Sequence, residues 1–210
     1  SGPIVDPALD EISGLGVGVV NPEVFWVHND SGDSARVFAI DANGAVRGTY
    51  TFSGATNVDW EDLAVVPGPT PGSGPIYAAD IGDNGALRSE IQVYRAAEPV
   101  VPLTGPPATT TLTSIETLRF TYPDGARDAE ALIVDPVSGD LTIVTKSFFS
   151  GAQDVYSAPA GLPADSTTVL AKIGQVKLDP GFLSAVTGAG VPELLEAIWR
   201  RLAASRQSAA

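Results

Sequence analysis

Trp60-Glu61-Asp62-Leu63-Ala64-Val65 has counterparts at Glu11-Ile12-Ser13-Gly14-Leu15 and at Ala129-Glu130-Ala131-Leu132-Ile133-Val134. In each segment a glutamate stands at the head of a short apolar run. A second run follows in each case: Val24-Phe25-Trp26-Val27, Pro75-Ile76-Tyr77-Ala78-Ala79 and Leu141-Thr142-Ile143-Val144. A third run completes each series at Val37-Phe38-Ala39-Ile40, Ile91-Gln92-Val93-Tyr94 and Asp154-Val155-Tyr156-Ser157. These runs are short and rich in Val, Ile, Tyr and Thr, which favours strands over helices.

A long internal period built of short strands predicts an all-β array of four-stranded antiparallel blades, the β-propeller pattern. The Glu11-to-Glu61 interval is 50 residues and the Glu61-to-Glu130 interval is 69. The excess falls in Ala96–Thr111, where Pro99, Pro102, Pro106 and Pro107 cannot donate ladder hydrogen bonds, so this stretch reads as an inserted loop. In the first unit the strands are expected near Glu11–Val19, Val24–Asn29, Arg36–Asp41 and Ala45–Phe52. Asn43-Gly44 suits the tight turn between the last two. The outer strands of the second and third units are expected at Ile115–Tyr122 and Thr168–Leu178. Three blades and the start of a fourth make an incomplete ring over residues 1–190, and open blade edges favour self-association. Residues 191–210 are expected to add an amphipathic helix, with Leu194, Leu195, Ile198, Trp199 and Leu202 on one face.

With 25 acidic and 12 basic residues the net charge is −13, which argues against nucleic acid or an anionic membrane as partner. It suits a soluble secreted protein or a binder of cations. The chain has no cysteine, so thiol and disulfide chemistry is excluded, and with a single histidine it lacks the donors of a transition-metal site. The absence of methionine reads as a fragment or a processed product; no signal peptide is visible in the sequence, and removal of one before Ser1 is compatible with the secreted reading.

Glu11, Glu61 and Glu130 are expected to open the innermost strands. Asn29, Asp80 and Lys146 fall near the far end of the following strands, so all six side chains would converge at one mouth. Clustered carboxylates repel unless a cation or a proton compensates. Oxygen donors suit Ca²⁺, so Glu11, Glu61, Asp80 and Glu130 are the candidate metal ligands. A competing role for the glutamates is to tie each blade to the backbone amides of the next. His28, Asn29, Asp30 and Trp60 are candidate ligand-binding residues, with Trp60 offering a stacking face beside Glu61. Asn29-Asp30-Ser31-Gly32-Asp33 is also expected to form a loop whose side chains bond their own backbone.

Trp26-Val27-His28-Asn29-Asp30-Ser31-Gly32-Asp33, Asp59-Trp60-Glu61-Asp62-Leu63, Asp80-Ile81-Gly82-Asp83-Asn84 and Arg127-Asp128-Ala129-Glu130-Ala131-Leu132 resemble segments of secreted bacterial β-propellers of the phytase-like or esterase-like group. That resemblance covers about the first 180 residues. It implies Ca²⁺ in the channel and a metal-dependent hydrolase. In a hydrolase, Glu61 and Asp80 are the expected catalytic carboxylates and Lys146 the group that stabilises negative charge. Ser184-Ala185-Val186-Thr187-Gly188-Ala189-Gly190 and the helix after it are similar to the end of an Obg- or Era-like GTPase domain. No phosphate-cradling Gly-rich loop accompanies them, so no GTPase activity is expected. The functional expectation is a channel mouth that binds Ca²⁺ or a small ligand; the alternative is a non-catalytic interaction scaffold.

Overall fold

The computed structural model describes residues 4–146 and 151–177. They form fourteen strands in three sheets, and no described residue is helical. The expected C-terminal helix and the start of a fourth blade lie outside the described residues. Among the described residues no helix is long and apolar enough to cross a membrane.

Sheet I contains β1 (Ile12–Val17), β2 (Val24–Asn29), β3 (Arg36–Asp41) and β4 (Val46–Phe52) as an antiparallel meander. Sheet II repeats the plan with β5 (Trp60–Val65), β6 (Pro75–Asp80), β7 (Ile91–Ala97) and β9 (Glu116–Thr121). Sheet III has β10 (Ala129–Val134), β11 (Leu141–Thr145), β12 (Ala152–Ala158) and β14 (Ala171–Lys177). The expected turn at Asn43-Gly44 is present, with Gly44 at φ 81°, and Gly125 at 94° and Gly139 at 78° make further turns. Each is a left-handed conformation that glycine adopts without a side-chain clash.

Two expectations need correction. The proline-rich stretch is not a plain loop, because β8 (Ala108–Leu112) runs parallel to β4 as a fifth strand of sheet I. Prolines lead the chain away from sheet II, and Thr109, Thr110 and Thr111, good strand formers, then pair with the outer edge of sheet I. The expected single strand at Thr168–Leu178 is two strands. Of these, β13 (Thr167–Val169) pairs in parallel with β9 of sheet II, and β14 returns to sheet III. Each of the second and third units therefore lends one strand to the sheet before it.

The sheets pack face to face on apolar side chains. Trp26, Tyr50 and Phe52 of sheet I meet Trp60, Ile76 and Tyr94 of sheet II. Ile81, Val93 and Phe120 of sheet II meet Leu132, Ile143 and Tyr156 of sheet III. Each fully buried large side chain contributes roughly 1.5–3 kcal/mol. β5 lies between β1 and β10, so the first strands of all three sheets stand side by side.

Candidate functional site

Strand register fixes which residues correspond. Ile12, Trp60 and Ala129 pair with Asn29, Asp80 and Thr145. Immediately after each, the register breaks in a bulge. The residue entering that bulge is Ser13 in sheet I, Glu61 in sheet II and Glu130 in sheet III. Glu11 therefore does not correspond to Glu61. It stands two residues earlier, level with Asp59 and Asp128, and its side chain is exposed. Lys146 likewise lies one residue beyond Thr145 and corresponds to Asp30. The Asp30 N–H donates to the Glu11 carbonyl, and the Lys146 N–H to the Asp128 carbonyl, both at 2.9 Å.

The bulges bring five carboxylates together. Donor oxygens of Asp30, Asp59 and Glu61 lie within 4.8 Å of one another, as do those of Glu61, Asp128 and Glu130. Glu61 belongs to both sets. It is only 7 % exposed, and among the described residues no N–H or O–H donates to its carboxylate. Burial, followed by the charges of Glu130, Asp30, Asp59 and Asp128, pushes its pKa up to about 8. Asp59 is raised as well, first by burial and then by Asp30 and Asp128. Asp128 is 8 % exposed; its Oδ1 accepts the Asp83 N–H at 2.8 Å, while its Oδ2 is buried without a hydrogen bond. Among the described residues two cations stand beside the cluster: Lys146, which pairs with Glu130 and lies 3.9 Å from Asp128 Oδ2, and Arg88, whose charge acts on Asp59 from below.

Gly82 makes this closeness possible. A Cβ at that position would sit 2.5 Å from Asp59 Oδ2 and from Glu61 Oε1, far inside van der Waals contact. The two carboxylates occupy the space that any other residue would fill.

The other candidates have different surroundings. Asp80 is fully buried and outside both carboxylate sets. It accepts from Arg88 Nη1 at 2.8 Å and from the Asp59 N–H at 3.0 Å, which anchors the loop under the cluster. His28 is buried edge-on to Trp60, with ring centroids 5.6 Å apart, and its Nδ1 faces the Asn29 carbonyl at 2.8 Å. Burial holds its imidazole below the usual range. Trp60 is enclosed by His28, Phe52 and Tyr94 and gives its indole N–H to the Thr56 carbonyl at 2.9 Å. Asn29 is buried and donates to the Ala8 carbonyl and to Asp33. Asp30 alone of these four joins the carboxylates; its Oδ1 also takes the Ser31 N–H at 2.6 Å, as expected of a loop that bonds its own backbone.

The inter-sheet tie expected of the glutamates exists, one residue further on. Asp62 accepts the Leu132 N–H of sheet III at 2.8 Å and the Leu63 N–H at 2.7 Å. Burial raises it to about 6 against the pull of those two donors. Between sheets I and II the Ser13 hydroxyl donates to the Glu61 carbonyl at 2.8 Å.

Asp59 and Asp128 are the site residues that glutamate counting missed. Their signal is the repeated Asp-x-Glu of Asp59-Trp60-Glu61 and Asp128-Ala129-Glu130. Compared with known proteins, the chain matches no family model, no curated protein and no solved structure.

Proposed function

We propose that the three sheets are blades of a β-propeller arc, and that its axial mouth binds a hard divalent cation through Asp30, Asp59, Glu61, Asp128 and Glu130. The observation that carries this reading is Glu61: a buried carboxylate with four acidic neighbours and, among the described residues, no hydrogen-bond donor. A fold satisfies its buried charges or neutralises them. Here a proton or a metal ion must do so, and the Asp128 Oδ2 left without a hydrogen bond is a second donor turned to the same purpose. The donors are all carboxylate oxygens, which fit Ca²⁺; waters complete a shell of about six to eight. The ion would also clamp the blades, since its ligands come from all three.

Hydrolysis at this mouth is the weaker reading. Asp80 is sealed beneath Arg88, and Lys146 is engaged by Glu130 and Asp128. The scaffold alternative is supported by Asp62, which performs the tying role without needing Glu61.

Calorimetric titration with CaCl₂, alongside thermal melting in Ca²⁺ and in EDTA, tests the proposal. Saturable heat and a higher Tm in Ca²⁺ are expected. A ligand at a hundred times its Kd stabilises the folded state by about 2.7 kcal/mol. Glu61→Gln should weaken binding at least about tenfold, equivalent to about 1.4 kcal/mol. Gly82→Ala, which drives a methyl group between Asp59 and Glu61, should do the same without removing a charge. Absence of both heat and Tm shift in the wild type would sink the cation site.

A further inference from the structure

Sheets I and II each carry a fifth strand that the following unit supplies. The link between β7 and β9 provides β8, which runs parallel to β4; the link between β12 and β14 provides β13, which runs parallel to β9. Register places the two additions at one level. Phe38, Tyr94 and Tyr156 correspond, because they pair with Val27, Ala78 and Ile143. Three residues before each, the facing residues on the outer strands are Phe52, Phe120 and Val176, all buried. Leu112 of β8 pairs with Phe52, and Thr168 of β13 with Phe120. A further bond closes each contact: the Ser53 N–H donates to the Leu112 carbonyl and the Leu170 N–H to the Thr121 carbonyl, each at 2.9 Å. Among the described residues nothing stands beside Val176 in this way, and β14 is the outermost strand of sheet III. Yet β14 is built as β4 is. On β4 a bulge at Arg47 precedes Gly48, where pairing with β8 begins; on β14 a bulge at Ile173 precedes Gly174. Beyond that bulge Gly174–Lys177 is regular strand, a length between those of β13 and β8, three and five residues.

We propose that the outer edge of β14 at Gly174–Lys177 is a strand-acceptor site, which takes an extended polypeptide segment in parallel. An open edge presents N–H and C=O groups to any strand that fits, and those main-chain bonds supply the affinity. The two donated strands define the chemistry of the partner. Thr111 and Thr167 are exposed where they pair, while Leu112 and Thr168, beside the buried Phe52 and Phe120, are half-buried. The segment for β14 is therefore uncharged, with a threonine or another β-branched residue facing water and a residue no larger than leucine beside Val176. A second intact copy does not supply it, since its own β8 and β13 are already paired. Nor do two β14 edges suit one another, because the exposed Lys172 and Lys177 guard each edge against its like. The donor is a free extended segment.

The edge owes nothing to the cation site, so the test is run in EDTA. The probe is a synthetic peptide with the sequence of residues 107–113, Pro-Ala-Thr-Thr-Thr-Leu-Thr, added to the full wild-type chain. Amide hydrogen exchange is followed residue by residue by NMR. At about nine times its Kd the peptide should slow exchange in Gly174–Lys177 about tenfold and leave β4 and β9 unchanged. A cysteine added at the peptide's N-terminus can carry a paramagnetic label, and the chain has no cysteine to compete for it. In a parallel complex the label should broaden Lys172 and Ile173 more than Lys177. A peptide carrying Thr110→Pro with Thr111→Pro, which lacks two adjacent N–H groups, should protect nothing. No slowing at peptide concentrations up to about 1 mM would overturn the proposal. Protection elsewhere, an antiparallel labelling pattern, equal binding of the proline peptide, or amides of Gly174–Lys177 already as slow as those of β4 in the free chain would do so equally.

Discussion

Glu61 and Glu98 are equally buried, each 7 % exposed, and the protein treats them in opposite ways. Glu98 follows β7 and reaches across to sheet I. Its Oε2 accepts the N–H groups of Val19 and Val20 at 2.8 and 2.7 Å. Its Oε1 takes the Asn21 backbone and side-chain N–H groups and the Trp26 indole N–H, at 3.3, 2.8 and 3.0 Å. Five donors thus surround one carboxylate. Around Glu61 there are four other carboxylates and, among the described residues, no donor. Glu98 shows that this chain can house a buried carboxylate by solvating it with N–H groups. Glu61 is therefore not merely a charge the fold failed to expose; its neighbourhood is built of oxygen.

The sharpest way to break this comparison is to remove each charge in turn and measure urea unfolding without divalent ions. Glu98→Ala should cost about 3–5 kcal/mol, because it leaves buried N–H groups unpartnered at the contact between sheets I and II. Glu61→Gln should leave stability unchanged or raise it at neutral pH, since the neutral amide removes the cost of taking up a proton on folding. If both variants lose stability alike, Glu61 is a structural residue of the same kind as Glu98, and the distinction fails.

A smaller effect follows from pH. The folded pKa of Glu61 lies at about 8, above the ordinary glutamate value of 4.5. Between those two values the folded state binds a proton that the unfolded chain has released. Stability from this group is therefore fully present below about 4.5 and is lost as pH rises through 8. Glu61→Gln removes that slope, so in EDTA the variant should gain on the wild type steadily from pH 5 to pH 9. His28 acts in the opposite sense: lowered by burial, it makes the fold lose stability as pH falls below about 6.5. Because His28 is present in both proteins, the difference between them isolates Glu61. A flat difference across this range would place Glu61 in contact with solvent.

The strand pattern was legible because apolar runs of five or six residues at a regular spacing have few alternatives to strands. The donated strands were not. Pro99, Pro102, Pro106 and Pro107 announce a loop, and nothing local says that the threonines after them will cross to β4 and pair in parallel. Glu61 and Glu130 were legible as partners because their flanking sequences match. Glu11 misled, because the eye aligns like residues whereas the sheet aligns register. The leucines Leu15, Leu63 and Leu132 carry the true alignment: they share one register position, and Leu63 and Leu132 are set there by packing on the preceding sheet. Asp80 misled for a different reason. Its position at a strand end suits a ligand, but Arg88 eight residues later claims it, and an ion pair across a loop leaves no periodic trace.

Ser13 gives the finest test of the alignment, because it occupies in sheet I the bulge position of Glu61 and Glu130. If the register is right, its work is to tie sheets rather than to complete the carboxylate cluster. Its hydroxyl donates to the Glu61 main-chain carbonyl at 2.8 Å, which fixes the bulge of β5 from the sheet I side. Ser13→Ala should therefore cost about 0.5–1.5 kcal/mol, the usual net worth of one hydrogen bond. The Kd for Ca²⁺ should change by less than about tenfold, because the serine supplies no ligand oxygen and the Glu61 side chain is untouched. The two readouts separate the alternatives. Loss of stability with intact binding makes Ser13 a tie between sheets. Abolished binding with intact stability would make it a sixth ligand, and the cluster would then span all three bulges.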